Sequence, residues 1–226
     1  MTVELALVGA HAGYGPVEAL HGVTIDIPAA SLVGVLGRNG AGKSTAVRAL
    51  AGTVAVREGA VYWQEHDVTK WSAYDRAMAG LTMVPDEYGV FGSLTVEENL
   101  TLFSGDDGVD RALAVFPELG ALLERTAGAL SGGEQQMLAV SRALLRPGRV
   151  VLLDEASRGL APAAVRRLYD ALAELVAQGR AVVVVEQYAR EVLARADVVY
   201  VLRRGDVAFA GEPAELHGDT LARALG

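Results

Sequence analysis

Three short stretches of this chain carry the residue types that handle phosphate. The first is Gly37-Arg38-Asn39-Gly40-Ala41-Gly42-Lys43-Ser44, which fits G-x-x-x-x-G-K-S/T. Glycines let backbone N–H groups curl round a phosphate, and a helix that follows adds its positive end. Lys43 is placed to reach the β- and γ-phosphates, and the Ser44 hydroxyl is a Mg²⁺ ligand in such a loop. A chain of this composition shows ~0.02 such matches by chance, so the pattern reads as a nucleotide cradle. The second stretch is Val150-Val151-Leu152-Leu153-Asp154-Glu155, an apolar run ended by two acids. A carboxylate at the end of a strand neighbouring the loop can hold Mg²⁺, usually through its water shell. Glu155 is then placed to accept the proton of an attacking water. The third is Leu130-Ser131-Gly132-Gly133-Glu134-Gln135, where Ser131 and two glycines open a helix, a further phosphate-binding N-terminus. The first loop alone does not separate a kinase from a GTPase or a transport ATPase.

A scaffold has to hold these stretches, and the apolar pattern describes it. Runs of strand length recur at Glu4–Val8, Val23–Ile27, Ser31–Leu36, Gly59–Trp63, Leu81–Val84, Val150–Leu153, Ala181–Val185, Val198–Leu202 and Asp206–Ala210. Several are continuous and rich in Val and Leu, as strands read when helices cover both faces of a parallel sheet. Helical stretches lie between them at Lys43–Ala51, Val96–Phe103, Gly132–Leu145 and Pro162–Gln178. Thr95 with Glu98 makes a capping box, Pro162 suits a first helical turn and Gly179 a helix stop. The chain therefore reads as one α/β module. Its core covers about 1–84 and 147–226, and a helical insertion covers about 85–146. Gly105–Gly108 reads as a surface turn.

Composition narrows the function. The chain has 226 residues, no Cys, and 20 Lys+Arg against 28 Asp+Glu, a net charge of −8. Absence of Cys excludes thiolate zinc sites, iron–sulfur clusters and a thiol nucleophile. The acidic balance argues against nucleic acid as a partner. Hydrophobic residues make up 51%, yet the longest apolar runs are four or five residues, whereas a membrane span needs ~20. Met1-Thr2-Val3-Glu4 lacks the basic and apolar regions of a signal peptide. Trp63, Trp71 and Met78 read as core or half-buried packing. His11, His21, His66 and His217 read as scattered surface residues, and Arg166, Arg167, Arg203 and Arg204 as solvated faces.

The run Leu130–Gln135 resembles the signature element of the ABC transporter ATPases, and the resemblance extends over essentially the whole chain. It implies a P-loop NTPase core with a mostly parallel sheet, an antiparallel β part and a helical insertion. It implies ATP and Mg²⁺ as cofactors. ATP would sit on Gly37, Asn39, Gly40, Ala41, Gly42, Lys43, Ser44 and Thr45, with Tyr14 stacked on adenine. Mg²⁺ would be held by Ser44, Asp86 and Asp154, and catalysis would fall to Glu155 and Gln187. Ser131, Gly132, Gly133, Glu134 and Gln135 would face the γ-phosphate bound to a second ATPase subunit, in a head-to-tail homo- or heterodimer. Ser157–Ala161 lies where the family has its dimer-contact loop.

Within the family, Leu94–Leu100, Glu134–Ala139, Gly159–Pro162 and Val185-Glu186-Gln187 look like the branched-chain amino-acid importers, with the urea/amide importers a close second. That resemblance implies membrane permease subunits, indirectly a solute-binding protein, and a place on the cytoplasmic face of the membrane. An ATP-gated dimerising module with weak hydrolysis, an exporter or a soluble ABC ATPase are the alternatives. Three departures stand out. Asp86 replaces the loop Gln, bringing charge and no donor. Gln187 replaces the usual His and cannot carry a proton, so a His-type pH dependence is not expected. Glu87-Tyr88-Gly89 replaces Gly and basic residues, and Ala156 a common Pro.

Overall fold

The continuous apolar runs form the centre of the molecule, in a computed structural model that describes residues 2–86, 89–104, 107–187, 189–216 and 224. In chain order the strands are β1 (Val3–Tyr14), β2 (Val17–Pro28), β3 (Leu32–Leu36), β4 (Val56–Trp63), β5 (His66–Asp67), β6 (Leu81–Val84), β7 (Val150–Asp154), β8 (Ala181–Glu186), β9 (Val198–Arg203) and β10 (Asp206–Gly211). Six strands form one sheet, in the order β10-β9-β3-β8-β7-β6, parallel except for the β10 edge. Every residue of β3, β7 and β8 is buried, which is why these strands show no alternation. The other four strands form an antiparallel sheet, β2-β1-β4-β5. There alternation returns: Val23, Ile25 and Ile27 point inward while Thr24 and Asp26 face out.

β7, which carries Asp154, does not adjoin β3; β8 lies between them. The register still brings their ends level. Leu36 pairs with Glu186 and Asp154 with Val185, so both loops leave the same edge of the sheet.

The helices are α1 (Lys43–Ala51), α2 (Ala73–Met78), α3 (Val96–Ser104), α4 (Gly108–Val115), α5 (Gly132–Leu145), α6 (Pro162–Ala177) and α7 (Ala189–Leu193). Among the described residues of 85–146 the regular elements are the helices α3, α4 and α5 with short 3-10 turns, joined by loops, and the strand-like pairing is one isolated bridge, Thr95 to Thr126. Their core is continuous with that of the sheet, since Leu100, Phe116 and Leu138 join one cluster with Val151, Leu153 and Leu168. Gly108 opens α4, a correction to the turn expected there; Gly105 and Asp106 lie outside the described residues, as do Glu87, Tyr88, Tyr188 and His217. Trp63 is buried, but Trp71 and Met78 are exposed, because α2 is a short surface helix. His11 and His21 are cross-strand partners rather than scattered. Arg167 is not simply solvated: it donates to Val115 O (2.7 Å) and pairs with Glu118, tying α6 to the insertion.

Arg76 on α2 holds the end of α1. It is 1% exposed, and its guanidinium donates to Ala49 O and Leu50 O (both 2.7 Å), Val68 O (2.9 Å) and Thr69 O (3.2 Å). These include carbonyls that the last turn of α1 cannot satisfy itself. Burial lowers the guanidinium pKa, so the charge is retained at a cost that the four acceptors offset. Arg76→Ala removes all four bonds: Ala49 O and Val68 O keep the backbone donors Gly52 N and Trp71 N, while Leu50 O and Thr69 O lose their guanidinium partner. It should cost roughly 3 kcal/mol or more of unfolding free energy by denaturant titration. A loss below about 0.5 kcal/mol, the range of surface substitutions, would contradict this.

Candidate active site

The site is assembled at the C-terminal edge of the parallel sheet, where open α/β folds bind their ligands. The chain leaves β3 at Leu36, turns through Gly37–Gly42 and enters α1 at Lys43. Gly42 caps α1 with φ of +102°, and a Cβ there would come within 2.8 Å of Ala19 O, so only glycine fits. It offers no side chain to accept from the first-turn amides, which remain directed at the loop. Ala41 N donates to Arg38 O (3.1 Å), and Gly205 N to Ala41 O (3.0 Å), so the β9–β10 hairpin props the loop from outside.

Lys43 is 4% exposed and donates to Arg38 O (3.2 Å). Burial pulls its pKa below the ordinary lysine value, against the pull of Glu155, Asp154 and Glu186. The Ser44 hydroxyl donates to Asp154 Oδ1 (3.0 Å). Asp154 is fully buried and its other oxygen, Oδ2, has no protein partner. Burial pushes its pKa up to about 6, with Ser44 opposing. A buried, half-satisfied carboxylate beside a serine hydroxyl at a phosphate loop suits Mg²⁺. That ion keeps several waters and takes one or two protein ligands plus phosphates. Consistent with that economy, no group of three or more His, Cys, Asp or Glu forms a metal cage among the described residues.

Glu155 follows immediately, with φ of +52°, a left-handed conformation that costs of order 1 kcal/mol for a residue with a side chain. Its N–H donates to Val185 O (2.9 Å), and its carboxylate lies 3.7 Å from the Arg158 guanidinium. Gln187 stands exposed one residue past β8. Glu186, the last residue of β8, is 3% exposed and accepts from Ser157 N (3.1 Å). Burial raises its pKa to about 7. Its place in the site was not foreseen, although it ends an apolar strand just as Asp154 does.

Tyr14, Asp86 and the signature residues occupy the flanks. Tyr14 is 47% exposed, and its hydroxyl accepts from Arg48 Nη1 (3.1 Å). Asp86 Oδ1 accepts from Arg48 Nη2 (2.6 Å), so its carboxylate is engaged by α1. Arg48 was also not foreseen. Ser131 caps α5 through a box in which Ser131 N donates to Glu134 Oε2 (2.7 Å) and Glu134 N to Ser131 Oγ (3.4 Å). Gln135 turns back to Ala127 O (3.1 Å). Glu134 and Gln135 thus shape the helix start, leaving Ser131 and Gly132 exposed at its tip. Gly133 abuts Gly159; a Cβ on Gly133 would meet Gly159 O at 2.7 Å. Gly132, Gly133, Asp86, Arg158 and Gly159 line one open depression of about 380 Å³.

Residues 20–158 match the ABC transporter family. The chain belongs to that family. The branched-chain amino acid transport ATP-binding protein BraG of Pseudomonas aeruginosa is 37% identical over 86% of each chain. The probable branched-chain amino acid transport ATP-binding protein LivF of Archaeoglobus fulgidus is 37% identical over 94% of this chain and 93% of its own. The ADP form of an ATP-binding cassette from an ABC transporter superposes with a TM-score of 0.77 at 26% identity, over 94% of this chain and 91% of that one. This is an ATP-binding cassette of the ATP-hydrolysing kind, and among the described residues no helix is long and apolar enough to cross a membrane.

The raised pKa of Glu186 has a measurable consequence. Between its ordinary value of 4.5 and about 7, the folded cassette holds a proton that the unfolded chain has released. Stability contributed by this group is therefore lost as pH rises through that window. Glu186→Gln keeps an acceptor for Ser157 N without a charge. Its stability relative to wild type should grow by about 1–3 kcal/mol between pH 5 and pH 8 in denaturant titrations. A difference independent of pH would show that Glu186 is not buried as a neutral acid.

Proposed function

We propose that this cassette is the ATP-hydrolysing subunit of an importer for branched-chain amino acids or chemically related amides. In this reading it works on the cytoplasmic face of the membrane, with separate permease subunits and a second ATPase subunit, and indirectly with a solute-binding protein. The observation that carries the hydrolytic part is the Ser44–Asp154 hydrogen bond beside Lys43 and Glu155. A phosphate loop, a half-satisfied buried carboxylate and Glu155, whose carboxylate lies 3.7 Å from Arg158, share one sheet edge. The solute class is supported by the names and 37% identity of the two transport relatives.

In this reading the residues divide the work as follows. The first-turn amides of α1 and Lys43 hold the β- and γ-phosphates. Mg²⁺, when bound, offsets the charge building on the phosphate oxygens; Ser44 and Asp154 are the residues that would hold it. Glu155 takes the proton of the attacking water, which is why its carboxylate sits at the exposed end of a buried strand rather than within it. Tyr14 offers its exposed ring to adenine. Gln187 donates to the γ-phosphate without titrating. Ser131 and Gly133 complete the site of the other subunit.

The test is steady-state ATP hydrolysis and solute uptake by the complex reconstituted with its permeases, for wild type beside Glu155→Gln. Wild type should turn over ATP in step with uptake of leucine, isoleucine or valine, and Glu155→Gln should lower kcat by ~10²–10⁴ while still binding ATP. Equal, slow turnover by both would instead make the cassette an ATP-gated dimerising module.

A further inference from the structure

Arg48 joins two parts of the site that the chain otherwise keeps apart. Tyr14 ends β1, in the antiparallel sheet. Asp86 lies two residues beyond β6, where the chain leaves the parallel sheet for the helical insertion. Arg48 stands on α1, one turn after Lys43 and Ser44. One guanidinium nitrogen donates to the Tyr14 hydroxyl at 3.1 Å and the other to Asp86 Oδ1 at 2.6 Å. The Arg48 and Asp86 side chains are 31% and 27% exposed, so this ion pair is partly withdrawn from solvent and less screened than a surface pair.

We propose that Arg48 is a positioning residue for the nucleotide site, which cancels the charge of Asp86 and with its second arm fixes the ring of Tyr14. The inference rests on the reading of Gly37–Ser44 as the ATP loop. Its physical basis is the charge balance of the sheet edge. Asp154, Glu155 and Glu186 already face Lys43 there, and Asp86, bonded to Arg48 on the helix that Lys43 opens, adds another carboxylate to that edge. An unpaired carboxylate at 86 would add to the repulsion of incoming phosphates. A planar guanidinium spans two acceptors in fixed geometry, which an ammonium cannot do. The same side chain therefore sets the adenine platform and the first residue of the insertion.

The proposal predicts a coupled pattern in ATP binding. Affinity is measured by calorimetry in EDTA, so that neither turnover nor the metal enters. Arg48→Ala should weaken ATP binding roughly tenfold, a coupling typical of contacting residues. Asp86→Asn in the same chain should restore affinity to within about threefold of wild type. Tyr14→Phe should weaken binding in the wild-type background and have no further effect once Arg48 is gone. Thermal unfolding of each nucleotide-free variant reports folding, and Arg48→Gln, of similar length and no charge, serves if Arg48→Ala is unfolded. Equal losses from Arg48→Ala with Asp or Asn at 86, or no loss at all, would overturn the proposal. So would a Tyr14→Phe effect that survives removal of Arg48. Failure of wild type to bind ATP would overturn the nucleotide reading itself, and this inference with it.

Discussion

The hydrogen bond from Ser44 to Asp154 is the contact on which the site depends. It joins the first turn of α1 to the end of β7, across a strand that separates β7 from β3. For those two side chains to meet, β3, β8 and β7 must end level, and their parallel register makes them do so. Side chains on both faces of these strands are buried, so a slip would move a continuous apolar surface with nowhere else to pack. The precision of the site is thus inherited from the core. The phosphate loop adds only a turn that glycine permits and a hairpin that braces it.

Electrostatics explains why so rigid an edge is also a binding site. Asp154 and Glu186 are held in surroundings that favour their neutral forms, and Lys43 in surroundings that weaken its charge. Desolvation is the largest influence on all three. Relaxing such groups into water would be favourable, but Asp154 and Glu186 end strands buried on both faces and Lys43 opens α1. The unsatisfied Oδ2 of Asp154 shows what is missing. Phosphates directed at Lys43 and a cation at Asp154 would each meet a group already positioned and dehydrated, so little reorganisation remains to oppose binding.

Much of this was legible in the residues. The all-Val and all-Leu runs marked β3, β7 and β8, and the bounds of α1 and α5 coincide with those read from their glycines and caps. The phosphate loop and the Asp154-Glu155 pair announce their chemistry through residue type alone. What escaped notice was tertiary. Strand order across the sheet carries no local signal, so the place of β8 between β3 and β7 shows only in the fold. Glu186 entered the sequence reading only within the Val185-Glu186-Gln187 run, and its burial shows only in the fold. Arg48 and Arg76 look like helix surface, and only the fold gives each its acceptors. The short α2 had a readable capping box at Ser72 and Asp75, but its six residues give too little periodicity to stand out. Trp71 and Met78 followed that error, since their exposure depends on the helix lying at the surface.

The central claim is that Asp154 completes a cation-assisted phosphate site at the end of a rigid strand. Thermal unfolding with ATP, with and without Mg²⁺, tests it directly. A ligand at about 100 times its Kd adds ~2.7 kcal/mol, which raises the midpoint of a chain this size by roughly 5–10 °C. Wild type should show a larger rise with ATP and Mg²⁺ together than with ATP alone. Asp154→Asn should keep the rise from ATP alone and lose the Mg²⁺ increment. An increment of the same size in Asp154→Asn would contradict the account.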